Sequence, residues 1–169
     1  MYIMYPILED AFLRYPMRSK VADLLLRQGM RVDKAGFIYS GAVEVSPVKI
    51  ARALKIDRRV VLETSQMIAE VPELFSIFES LAPTSYIRGV AKSLGFEVLE
   101  LEAEPHAIGI VSAVTTIISD ANISIRQIVS DDPDIYPNPK LTIIIEKRLP
   151  GSALLKLREL SQIKRLSIE

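Results

Sequence analysis

The sequence contains no cysteine, no tryptophan and a single histidine, His106. Without thiols, disulfides and thiolate metal sites are excluded. With one histidine, a His-rich metal cluster and a Ser-His-Asp triad built away from residue 106 are excluded as well. Aromatic residues are scarce at 7% while aliphatic residues are plentiful, the composition of a globular chain with enough apolar mass for a core. No apolar run approaches the roughly 18–20 residues that a membrane-spanning helix needs. The first twenty residues lack a basic start and carry Glu9 and Asp10, which argues against a secretory leader, so the sequence predicts a cytoplasmic protein with no membrane partner. There is no Gly-rich phosphate loop and no convergent set of titratable groups, so neither a cofactor nor an enzymatic role is expected.

Positive and negative side chains balance at 21 each, so net charge gives no hint of a polyanionic partner, but their distribution does. Between residues 46 and 59, Lys49, Arg52, Lys55, Arg58 and Arg59 oppose a single acid, Asp57. The same stretch, SPVKIARALKIDRRVVLETSQMI, has helix-turn-helix character. Ser46-Pro47 opens a first helix, because serine is a favoured N-cap and proline has no N–H to leave unpaired in the first turn. Asp57 is placed to cap a second. Ala51 is small where the helices must approach, and Ile50, Leu54, Ile56 and Val61 fall at core positions. Arg58 and Arg59 sit at the start of the second helix, the end that recognition helices present to base edges, while Lys49, Arg52 and Lys55 are placed to hold the backbone. Lys55 occupies a turn slot where glycine is common, at a cost of about 1–2 kcal/mol if the backbone is left-handed there. A solvated helical face is the plain alternative for such a charge run.

Residues 18–28 read as a helix closed by Gly29, and GFIYSGAVEV as a hairpin about Ser40-Gly41. Further helices are expected over 73–82 and 84–94. After Gly95 the pattern changes: Leu99, Leu101 and Ala103 alternate with Glu100, Glu102 and Glu104, a strand with one wet face. A helix over about 107–121, strands over 123–130 and 140–148, a helix over 152–162 and a last strand complete a β-α-β-β-α-β order. The expectation is therefore an α+β chain: a mainly helical, helix-turn-helix-like domain over residues 1–94 with a short hairpin, then a ferredoxin-like βαββαβ domain over 95–169.

The informative C-terminal stretch is EPHAIGIVSAV, where the first strand turns into the first helix. A helix start offers unpaired N–H groups to a carboxylate. Asn122 would otherwise serve as a left-handed helix cap, and Gly109 as a close-packing residue. In DDPDIYPNP, Asp131, Asp132 and Asp134 are oxygen donors of the sort hard cations prefer, but their spacing matches no calcium loop, and no metal site is expected.

These residues resemble the ACT domain, in which an acidic-x-Pro-Gly turn precedes the helix and a Gly-Ile-Asn-Ile-like segment opens the second strand. Ile108-Gly109 stands at the Pro-Gly step, and Asn122-Ile123-Ser124-Ile125 at the later segment. More narrowly, ISIRQIVSDDPDIYPNPKLTIIIE followed by Pro150-Gly151 resembles the archaeal predicted regulators of amino-acid metabolism, which join an N-terminal helix-turn-helix to a C-terminal ACT domain. The resemblance implies a small-molecule effector, such as an amino acid, held by His106, Ala107, Ile108 and Gly109 with Asn122 and Ile123 nearby. It also implies a homodimer or higher homo-oligomer, and DNA as a second partner. Two departures are plain: Ile108 replaces the family's proline, and His106 replaces its acidic or Asn position. The function expected is a ligand-responsive transcription regulator; a metabolite-binding subunit that acts through protein contacts and touches no DNA is the alternative.

Overall fold

The structure, a computed structural model, describes residues 5–169 apart from Pro105, Asp134 and Pro137. The fold is α+β with two antiparallel sheets, and the chain divides into two compact units, Met1–Ser85 and Tyr86–Glu169.

In the first unit, α1 (Pro6–Phe12), α2 (Pro16–Arg27), α3 (Pro47–Leu54) and α5 (Pro72–Phe78) each begin on a proline. Proline suits the first helical position because its missing N–H would find no partner there. Helix α4 (Arg58–Glu70) begins instead after Asp57. Between α2 and α3, β1 (Met30–Val32), β2 (Ile38–Ser40) and β3 (Val43–Glu44) form a small antiparallel sheet in that order. The expected hairpin is β2–β3, turning at Gly41-Ala42; β1 adds a strand that too few residues announced. Leu8, Phe12, Val21, Leu25, Val32, Ile38, Ile50, Val61, Ile68, Leu74 and Phe78 make one core drawn from α1–α5, β1 and β2.

The helices expected over 73–82 and 84–94 are shorter than their apolar content suggested. Helix α5 stops at Phe78, residues 81–87 are irregular, and only α6 (Arg88–Ala91) with a following 3-10 turn (Lys92–Leu94) is helical. Pro83 disfavours the helical conformation at Ala82. Ala82 also lies against Gly29, which holds that segment in place.

In the second unit, β4 (Glu97–Ala103), α7 (Ile110–Asp120), β5 (Ile125–Ser130), β6 (Lys140–Ile145), α8 (Gly151–Glu159) and β7 (Ile163–Ile168) follow the expected β-α-β-β-α-β order. The sheet order is β5-β6-β4-β7, with every neighbouring pair antiparallel. Leu99, Leu101, Leu141, Ile143 and Ile145 pack with Val114 and Ile118 of α7 and Ala153 and Leu157 of α8.

The other sheet face is not wholly wet, a correction to the reading of β4. Val98 and Ile144 point away from the helices and are buried with Ala91, while Ile87 and Phe96 pack against them. The Tyr86 hydroxyl donates to Thr142 Oγ1 at 3.1 Å, and the Ile87 N–H to Gln127 Oε1 at 3.1 Å. Arg88 reaches Glu100 of β4 at 3.2 Å and Glu169 at 2.7 Å. Residues 86–94 thus belong to the second unit, and the division falls after Ser85 rather than after residue 94. The glycine at 95 marks a turn within that unit, with φ 79°, and not its edge.

Candidate functional site

Helices α3 and α4 pack together, with Ile50, Ala51 and Val61 buried and Leu54 and Ile56 partly so. The turn between them is left-handed at Lys55 (φ 56°, ψ 46°), the geometry that the missing glycine put in question. Its hydrogen bonds close the helix end: the Lys55 N–H donates to Arg52 O at 3.3 Å and the Ile56 N–H to Ala51 O at 3.0 Å. Satisfying these end carbonyls offsets part of the left-handed strain. Asp57 Oδ1 accepts from the Arg59 N–H at 2.8 Å and caps α4 as its position suggested. Ser46 flanks α3 but forms no side-chain cap bond; Pro47 alone marks that start.

Lys49, Arg52, Lys55, Arg58 and Arg59 are all exposed. Among the described residues none of the five is ion-paired with a carboxylate, although Arg18, Arg27, Arg88, Lys140, Lys164 and Arg165 all are. Lys49 and Arg52, three apart on α3, share a side of that helix. The segment therefore presents uncompensated positive charge over two helices and their turn, which can meet a polyanion without first breaking internal pairs.

In the second unit, the strand-to-helix turn expected to hold a ligand is tightly shaped. The Ala107 N–H donates to Glu104 O at 3.1 Å, and both His106 (φ 61°) and Gly109 (φ 84°) are left-handed. Gly109, the N-cap of α7, offers no side-chain cap, and among the described residues no side chain bonds the first-turn N–H groups. A cavity of about 330 Å³ opens beside this turn. His106, Ala107, Ile110 and Val111 form one wall; Ser130 at the end of β5 and Asp131 after it, with Lys140 and Leu141 of β6, form the other.

The six expected ligand residues are not brought together. His106 and Ala107 line the cavity, but Ile108, 92% exposed, and Gly109 do not. Among the described residues, a Cβ on Gly109 would meet nothing within 4 Å, so this glycine is explained by its positive φ and not by close packing. Asn122 and Ile123 lie past the far end of α7, about 16 Å away at 1.5 Å per residue, and line a separate hollow with Ser119, Ser124, Glu146 and Lys147. Asn122 is left-handed (φ 53°) and Ile123 is buried; both are accounted for by ending the helix and filling the core.

The residue sequence reasoning missed is Asp131. The sequence sets it with Asp132 and Asp134 in one loop, of which Asp134 lies outside the described residues. Its Oδ2 accepts from the Lys140 N–H at 3.1 Å, and its own N–H donates to Lys140 O at 2.9 Å, so the strand pair fixes this carboxylate at the cavity wall. Nothing in the local sequence signals this, because the facing wall comes from 24 residues earlier, at Ala107. Among the described residues no group of three or more His, Asp or Glu is disposed to hold a metal ion. The Tyr39 hydroxyl is held above its ordinary range, first by desolvation and then by the nearby carboxylates of Asp33 and Glu44.

Among the described residues no helix is long and apolar enough to cross a membrane. No protein-family model matches the sequence, and no curated protein matches it. Two of the solved structures that match it share weak likeness. One is described as the chemotaxis kinase CheA P2 domain in complex with response regulator CheY from the thermophile Thermotoga maritima, at 10% identity over 44% of this chain and 95% of that one, with a TM-score of 0.35. The other is described as PH0061, at 12% identity over 90% of this chain and 88% of that one, with a TM-score of 0.29.

Proposed function

We propose that the chain is a ligand-responsive regulator of amino-acid metabolism: a DNA-binding transcription regulator whose α3–turn–α4 segment is a helix-turn-helix and whose residues 86–169 are an ACT domain sensing an amino acid or similar metabolite. The observation that carries this reading is the run of five exposed basic side chains without carboxylate partners on α3, its turn and the first turn of α4. Arg58 and Arg59 are the base-reading pair, and Lys49, Arg52 and Lys55 are phosphate contacts. Two-fold pairing of chains would present two such segments to a palindromic operator.

In the ligand pocket, the α7 amides and His106 face the effector's carboxylate, and Asp131 takes its ammonium group, supplying the acid that this turn lacks at position 106. The ligand acts only if it favours one arrangement of the assembled protein over another. The chain has no catalytic role in this reading. The test is anisotropy titration of random duplex DNA at several salt concentrations. Three phosphate contacts per chain give a slope of log K against log salt of about −2.7 for each chain bound. Failure to bind at the lowest salt removes the DNA half of the proposal.

A further inference from the structure

The first unit holds a cavity of about 880 Å³ that neither the DNA-binding segment nor the effector pocket uses. Its walls come from the start of α2, the β1–β2 loop, β3, the first residue of α3 and the body of α4. Its size falls in the range of about 300–1,000 Å³ that suits a drug-sized ligand.

Three large apolar side chains, Tyr15, Phe37 and Leu62, line this cavity while remaining 45%, 52% and 48% exposed. Single exposed apolar residues are ordinary, but convergence of several on one concavity marks a place where an apolar body is buried. Phe37 is fixed by its N–H to Asp33 Oδ1 at 2.9 Å, Leu62 rides on α4, and Tyr15 lies under the Arg18 guanidinium, 4.6 Å from the ring centroid.

The charged lining is lopsided: Glu44, Glu63 and Glu70 against Arg18 alone, three negative groups to one positive. Arg18 is already committed, its guanidinium 2.7 Å from Glu63 and 3.8 Å from Met67 Sδ. It cannot serve an incoming anion without giving up that pair. Glu44 and Glu70 have no cationic partner among the described residues, and Glu70 accepts only the neutral amide of Gln66, at 2.8 Å. The site already accommodates one cation, Arg18, between an aromatic face, a thioether and a carboxylate, the combination that attracts cations to aromatic surfaces.

We propose that this cavity binds an amphipathic organic cation, with a flat apolar body against Phe37 and Leu62 and its positive charge directed to Glu44 and Glu70. The occupant is committed by charge complementarity: an anion would meet three carboxylates, and a neutral body would leave two of them uncompensated. The site stands independently of the proposed DNA and amino-acid partners. One of its walls is α4, whose first turn bears Arg58 and Arg59.

The experiment is anisotropy titration of the full-length protein with rhodamine 6G, a cationic xanthene, and with fluorescein, an anionic one of the same ring system. The expected result is saturable rhodamine binding with fluorescein weaker by about tenfold or more. The double variant Glu44→Gln/Glu70→Gln, both side chains exposed, should melt like the parent yet lose about tenfold in rhodamine affinity, since each exposed carboxylate contributes modestly. Glu159→Gln, in the second unit, should leave binding unchanged. Equal binding of the two dyes, or parental affinity in the double variant, overturns the proposal.

Discussion

The backbone of Gly29 is pressed against the carbonyl of Ala82: a Cβ at position 29 would lie 2.3 Å from that oxygen, and the residue is left-handed at φ 61°. Both the end of α2 and the segment leading to Pro83 are fixed by this contact. Gly29→Ala should therefore combine left-handed strain with overpacking against backbone that has no flexible end to move, a cost of about 2–4 kcal/mol. Urea denaturation followed by far-ultraviolet dichroism measures it. A change under half a kilocalorie would show that the two segments separate easily.

Lys55 presents the opposite case. Its left-handed backbone is a position where glycine carries no steric penalty. Lys55→Gly should stabilise the protein by about 0.5–1 kcal/mol, the strain relieved being partly offset by the freer unfolded chain. The same variant removes one of the five basic groups. If the segment contacts DNA phosphate there, the salt slope becomes shallower by about 1. A stabilised variant with an unchanged slope would leave the turn geometry intact and take Lys55 out of the interface.

The second sheet face gives a prediction on which sequence and structure part company. Ile144 is fully buried on the side away from α7 and α8, beneath Ala91 and beside Val98. A strand with one wet face would tolerate truncation there. The structure instead expects Ile144→Ala to cost about 2–4 kcal/mol, as for other buried large-to-small changes. Tyr86→Phe, which removes the bond to Thr142 Oγ1, should cost about 0.5–1.5 kcal/mol. Thermal melts of the two variants should rank them in that order.

What was legible followed from local chemistry. Proline at Pro47, the cap at Asp57 and the change of period after Gly95 each act within a few residues, and the elements they announce are present. The cover over Val98 and Ile144 was illegible because it depends on residues 86–96 reaching across the sheet, a pairing no periodicity encodes. Asp131 was hidden for the same reason. Its place opposite His106 is set by the β5–β6 pairing and the crossover through α7, so the acid and the turn meet only once the sheet has formed. Asn122 erred in the other direction: its short polar side chain satisfies a left-handed helix end, and that local duty explains it without a ligand.

The effector pocket can be tested by separating the two ends of an amino acid. If Asp131 binds the ammonium group and the start of α7 binds the carboxylate, a cognate amino acid at about 100 times its Kd stabilises the folded state by about 2.7 kcal/mol. A thermal-shift panel of the amino acids reveals which one. Asp131→Asn should abolish most of that shift, because the neutral amide offers weaker attraction to a cation, yet retain the weak shift given by the corresponding carboxylic acid without its amine. Gly109→Asp should lose both shifts, since an acid at the N-cap position of α7 competes for the first-turn N–H groups that would hold the ligand's carboxylate. Among the described residues no atom lies within 4 Å of its Cβ, so the main structural cost is backbone strain of about 1–2 kcal/mol. That cost is measured in the absence of ligand and subtracted. An amino acid whose shift survives Asp131→Asn and Gly109→Asp alike binds elsewhere, and the pocket beside His106 would then have no part in sensing it.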